Sequence, residues 1–175
     1  MYAKLLFICL LVLPQFAAAT SYTLQITEQE LQQKVTRELP IEREAAYLAA
    51  KIYDSQVDLI EGTNEVGLFT KIDLVALGSI KGSGQAYVKG GVTYNPEKGA
   101  FYLINPSIVS VDINDMPPEF IPEIKRIALL SLEQAVQIYP LYKFQDEKIQ
   151  EKMAKSVVES IRVEKQTMLI KMKLL

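Results

Sequence analysis

The sequence has no histidine and no tryptophan, and its only cysteine is Cys9. Without histidine, Ser-His-Asp and Cys-His catalysis is excluded, together with the usual zinc sites. Positive charge is not in excess either. Lys4 is the one charged residue among the first nineteen, so residues 20–175 hold 18 basic against 21 acidic residues, a net of −3. That is no electrostatic footprint for nucleic acid, and no nucleic-acid partner is expected. Beyond the first twenty residues, no apolar run approaches the ~20 residues that a spanning helix needs.

The N-terminus has the order of an export signal. Lys4 supplies a positive n-region, residues 5–13 (LLFICLLVL) an apolar h-region, and Ala17-Ala18-Ala19 a small-x-small cleavage pattern. Cleavage is expected between Ala19 and Thr20, so that residues 1–19 form a signal peptide and 20–175 a single domain. Cys9 lies within the h-region, after Leu6-Phe7-Ile8 rather than after a small residue, and would leave with the peptide. The expected destination is the periplasm, with no lipid anchor and no membrane span after cleavage. The mature chain would contain no disulfide despite its oxidising surroundings. At this length it buries roughly 70% of its unfolded surface and needs no staple.

The remaining chain divides into periodic segments. Thr27-Glu28-Gln29-Glu30 fits a capping box, with Ile26 and Leu31 at the staple positions. Leu31, Val35 and Leu39 continue a narrow apolar stripe until Pro40 ends the helix. From about residue 46 the period becomes two. Turn signals at 61–64, 81–84 and 95–99 separate β-rich runs at 47–60, 65–80, 85–94 and 100–113, which read as a four-stranded meander. Val66, Leu68, Thr70, Ile72, Leu74 and Ala76 share one face of the second run. Strands this long twist and coil, and Gly90-Gly91 and Asn105-Pro106 mark bulges or bends. Pro117-Pro118 opens a helix to about Tyr139 whose apolar residues cover more than half its circumference. Asp146 caps a further helix, and residues 161–163 and 168–174 form a closing hairpin. The expected class is α+β: a long, strongly curved antiparallel sheet wrapped around that long C-terminal-half helix.

Candidate chemistry is sparse. Gly82-Ser83-Gly84 lacks the third glycine and the strand-loop-helix order of a dinucleotide site, and reads as a hairpin turn. Asp112 with Asp115, and Asp54 with Asp58, have no supporting ligands at a metal or glycosidase spacing. Met168 and Met172 suit core filling, or an adaptable lipid cavity. No catalytic residue, metal ligand or cofactor is assigned, and the protein is not expected to be an enzyme.

Three stretches resemble the YceB-like family of bacterial envelope proteins, whose function is largely uncharacterised. They are residues 22–31 (YTLQITEQEL), residues 97–103 (EKGAFYL), and Met153-Ala154-Lys155 with the closing strands. The resemblance implies a fold similar to the tubular lipid-binding superfamily, with an apolar groove between helix and curved sheet. Many relatives are lipoprotein-like, with a cysteine at the cleavage site, and this chain departs from that pattern. The expected function is non-enzymatic binding of a lipid or another elongated apolar ligand in the periplasm. Leu68, Ile72, Leu74, Ile124, Ala128 and Leu132 are the expected lining. The alternative is an envelope scaffold or regulator with a self-filled groove, acting through a protein partner.

Overall fold

The computed structural model describes residues 21–45, 47–154 and 156–174. The expected signal peptide, with Cys9 and the cleavage pattern at Ala17, Ala19 and Thr20, lies outside the described residues. The elements run β1 (Ser21–Thr27), α1 (Glu28–Glu38), β2 (Ile41–Ala45), β3 (Leu48–Leu59), β4 (Glu65–Ala76), β5 (Ile80–Asn95) and β6 (Ala100–Asn114). A 3-10 turn (Pro118–Phe120) leads into α2 (Ile121–Ile138), α3 (Glu147–Ala154), β7 (Ser156–Glu164) and β8 (Thr167–Leu174).

Local chemistry explains most boundaries. Thr27 and Glu30 close the capping box in both directions: Glu30 N–H donates to Thr27 Oγ1 at 3.2 Å, and Thr27 N–H donates to Glu30 Oε2 at 2.8 Å. Ile26 and Leu31, flanking this cap, are both fully buried. Asp146 Oδ1 accepts from the N–H groups of Lys148 and Ile149 and so starts α3. The closing hairpin is present as β7–β8, with β7 beginning at Ser156.

Two antiparallel sheets result. One has the order β2-β3-β4-β5-β6, the expected meander with β2 added at its edge, and the other β1-β8-β7. The turn expected at Gly82-Ser83-Gly84 is not there: the chain turns at residues 77–79, and these glycines lie inside β5, where Gly84 lets the backbone of Asp112 approach closely. The β3–β4 turn joins them, because Gly62 N–H donates to Val163 O at 2.9 Å and Val163 N–H donates to Thr63 O at 2.7 Å.

The sheet is not curled around a helix, so the expected tubular arrangement is overturned. The chain is mostly antiparallel strand with short helices, and α2 lies against one end of the five-stranded sheet. Ile124 and Ile127 are buried there, while Leu130 and Ile138 stay 46% and 64% exposed. A broad apolar circumference had implied a helix gripped from most sides. The sheet instead divides its apolar face between two separate covering layers, so no single helix has to be enclosed.

The first cluster gathers Val57, Leu59, Val66, Val92 and Phe101 from the large sheet under Ile26, Leu31, Met153, Val163, Met168, Ile170 and Met172. The second gathers Leu48, Ile72, Leu74 and Ala76 under Met116, Ile124 and Ile127. Both lie on one face of β4, as its alternation required. β3 reaches both only because it is bulged: its register to β4 shifts between Tyr53 and Gln56. Side chains alternate with period two, so one extra residue exchanges the faces of every later position in the strand. Leu48 and Ile52 therefore face the same way as Val57 and Leu59. Asp54 carries the turn at φ 50°, a left-handed conformation that aspartate tolerates better than most residues. β6 is bulged twice against β5, beside Gly90-Gly91 and near Val109, and Asn105 has φ 49°. The bend beside Gly90-Gly91 lies where the glycines and Asn105-Pro106 had placed it, whereas the bulge near Val109 carried no sequence signal.

Candidate functional site

Between the two clusters, the inner face of the large sheet is only partly covered. Val57, Leu68, Val88 and Ile108 stand in direct cross-strand register over β3, β4, β5 and β6. Val57 is buried, and the other three are half-buried. The neighbouring row, Thr70, Ala86 and Val111, is also in register. Here Thr70 forms a buried hydroxyl pair with Ser55, 2.7 Å apart. A saddle of aliphatic side chains therefore crosses the sheet between two closed clusters, with one satisfied polar pair at its side.

The residues expected to line a groove do not stay together. Ile72, Leu74 and Ile124 belong to the second cluster, at 9%, 3% and 4% exposure, and fill the space between sheet and helix with their own side chains. Leu68 packs against the first cluster and belongs to the saddle. Ala128 and Leu132 are half-buried on α2. Val88 and Ile108 were missed. The row becomes visible only when register is known, because each of these residues sits beside a bulge or glycine that obscures its strand phase. Met168 and Met172 are fully buried core.

A second surface lies where β3 bulges. A cleft of about 930 Å³ is lined by Gln32, Thr36, Leu39 and Pro40 from the end of α1 and by Lys51, Tyr53, Asp54, Ser55, Gln56 and Asp73 from β3 and β4. α1 is held there by polar contacts that replace a strand neighbour. β2 pairs with β3 only as far as Ile52. Beyond it, Gln32 Nε2 donates to Ser55 O at 2.8 Å and Gln32 Oε1 accepts from Val57 N–H at 2.8 Å. Glu28 Oε2 accepts from Leu59 N–H at 2.9 Å. Residues 28 and 32 are one turn apart, so one helix face seals the open edge of β3.

Lys71 pairs with Asp54, whose carboxylate raises the ammonium pKa through a direct hydrogen bond. Tyr53 donates to Asp73 at 3.1 Å, and that bond raises the phenol pKa. Asp58 accepts from the Tyr87 hydroxyl at 2.8 Å. Burial and then this bond push Tyr87 up to about 12. The acidic pairs are placed apart: Asp54 and Asp58 serve separate partners, Asp112 lies exposed on β6 in register with Gln85, and Asp115 sits at φ 59° in the turn before α2. Among the described residues, no group of three or more metal-ligating side chains is close enough to hold an ion. No helix among them is long and apolar enough to cross a membrane.

Residues 26–167 match a family described as proteins of unknown function, DUF1439. The chain belongs to that family. The DUF1439 match runs from the end of β1 to the first residue of β8, and so takes in the whole large sheet, α2 and the cleft. Comparison with curated proteins returns no match.

Proposed function

We propose that this is a non-enzymatic binding protein of the periplasm, which takes an elongated apolar ligand such as an acyl chain along the saddle. The observation that carries the reading is the half-buried row Leu68, Val88 and Ile108, left open between two closed clusters. Each ligand CH₂ removed from water there contributes about 0.8 kcal/mol. The export pattern at the N-terminus and the YceB-like sequence stretches support an envelope setting. Native mass spectrometry of periplasmic protein, followed by solvent extraction, tests for a co-purifying lipid. A fluorescent fatty acid then tests the site. Val88→Asp is expected to abolish uptake while keeping a cooperative melt. Unchanged uptake by that folded variant would sink the assignment.

One observation favours a scaffold instead. Ile72, Leu74 and Ile124 close on one another, while Leu130, Ile138 and Tyr139 remain exposed. A bare protein that takes up no added lipid, but captures an envelope partner through Leu130 and Ile138, would support that reading.

A further inference from the structure

The opposite face of the same sheet has a different character. Phe69 lies there in direct register with Gln56 on β3 and Tyr87 on β5, and is 49% exposed. Its ring stacks on Tyr87 with centroids 4.0 Å apart and planes 13° apart. Tyr87 reaches its position by leaning across Gly67, where a Cβ would collide with its ring and hydroxyl, to bond Asp58. The pair is therefore built and held: a glycine notch below, a carboxylate at the phenol. Tyr87 stands on the Gly67 side of Phe69, and Lys71 is the next residue of β4 on the other side. Lys71 pairs in register with Tyr53 and Gln85. Tyr53, Asp54 and Gln56 also line the polar cleft, so the ring face and the cleft form one surface.

We propose that this surface binds a neutral oligosaccharide, with one sugar ring on Phe69 and its neighbours in the cleft. An exposed aromatic face fits the C–H side of a pyranose and is costly to leave in water. Amides at Gln56 and Gln85 offer both donors and acceptors for sugar hydroxyls, and the carboxylates of Asp54 and Asp73 keep lone pairs beyond those that Lys71 and Tyr53 occupy. Charge selects the neutral class. Lys51, Lys71 and Lys89 already face Glu42, Asp54 and Glu65, so an anionic ligand would meet cations that are taken. The site is independent of the saddle, which lies on the other face of the same strands.

Amide chemical shifts of the full chain, titrated with maltohexaose and with a β-1,4-linked N-acetylglucosamine hexamer, test the proposal. Saturable shifts are expected at residues 56, 69–71 and 85–87 with at least one of the two. Phe69→Ala should weaken that binding about tenfold, the order of one ring-stacking contact. Gln56→Ala, at an exposed position, provides a second variant should the first fail to fold. No saturable shift with either sugar, or unchanged affinity in both folded variants, overturns the proposal. Loss of fatty-acid uptake by Val88→Asp with sugar binding retained would separate the two faces.

Discussion

At the scale of single residues, Tyr87 shows how one ring is fixed by three neighbours. Its phenol is pushed up to about 12 by burial and by Asp58, against about 10 in an unfolded chain. The folded state therefore favours the protonated form. The stability this contributes is fully present below pH 10 and is lost as pH rises from about 10 to 12. Tyrosinate absorbance should show several groups ionising late, with Tyr87 among the last, and Asp58→Asn should bring Tyr87 part of the way back. Gly67→Ala is expected to release the same shift by displacing the ring. Its effect on stability should be small, because a lost hydrogen bond of about 1 kcal/mol is offset by the ~0.5–1 kcal/mol advantage of alanine over glycine within a strand. An unchanged late ionisation of Tyr87 in Gly67→Ala would show that the notch does not hold the ring.

At the scale of elements, α1 works as an edge seal as much as a packed helix. Leu31 buries its apolar stripe, and Gln32 and Glu28 satisfy backbone groups of β3 that no strand reaches. Gln32→Leu should cost about 1–3 kcal/mol, since Ser55 O and Val57 N–H would then lack a partner. Amide exchange at Val57 should accelerate with it, and unaltered exchange there would refute the sealing role. The sequence announced α1 through its cap, the β3–β4 and β5–β6 connections through their turns, and the β7–β8 hairpin through alternation, but it misplaced the β4–β5 turn, because the glycines at 82 and 84 read as a loop. It hid β1, although Tyr22, Leu24 and Ile26 alternate, because so short a run directly before a strong cap has the look of a helix approach. It hid β2 because Ile41-Glu42-Arg43-Glu44-Ala45 is an edge strand with one partner and no strand-like composition. The face of β4 was legible, and the saddle was not. Alternation places Leu68 on the correct face, but Val88 and Ile108 depend on the β6 bulges, whose register is set by tertiary pairing.

At the scale of the whole molecule, one sheet holds two unequal cores. The first is covered by β1, α1, α3, β7 and β8, and Phe101 is its largest fully buried side chain. The second depends on α2, which touches mainly β6. Phe101→Ala should lower global stability by about 3–5 kcal/mol. Ile124→Ala should cost about 2–5 kcal/mol at its site, and much of that should appear as local opening of α2. Hydrogen exchange distinguishes them: Ile124→Ala should deprotect α2 while β8 keeps its protection. Equal deprotection of both would mean one cooperative core. The same division separates ligand tests from folding tests. Ile72 is buried in the second core, so Ile72→Asp should unfold that end rather than report on uptake, whereas Val88 belongs to the open row.

The β3 bulge turns residue number into a structural quantity. Between Ile52 and Val57 the strand changes which parity faces the core. Removing the extra residue would straighten the strand and leave Val57 and Leu59 inside, but adding one, with the bulge kept, would invert the inside and outside of everything downstream to the turn. Val57 and Leu59 would go to solvent, and Gln56 and Asp58 into the first cluster. Changing a side chain in that stretch would alter one contact, whereas an added residue would shift the strand's reading frame. The segment 53–56 thus tolerates a changed letter better than an added one.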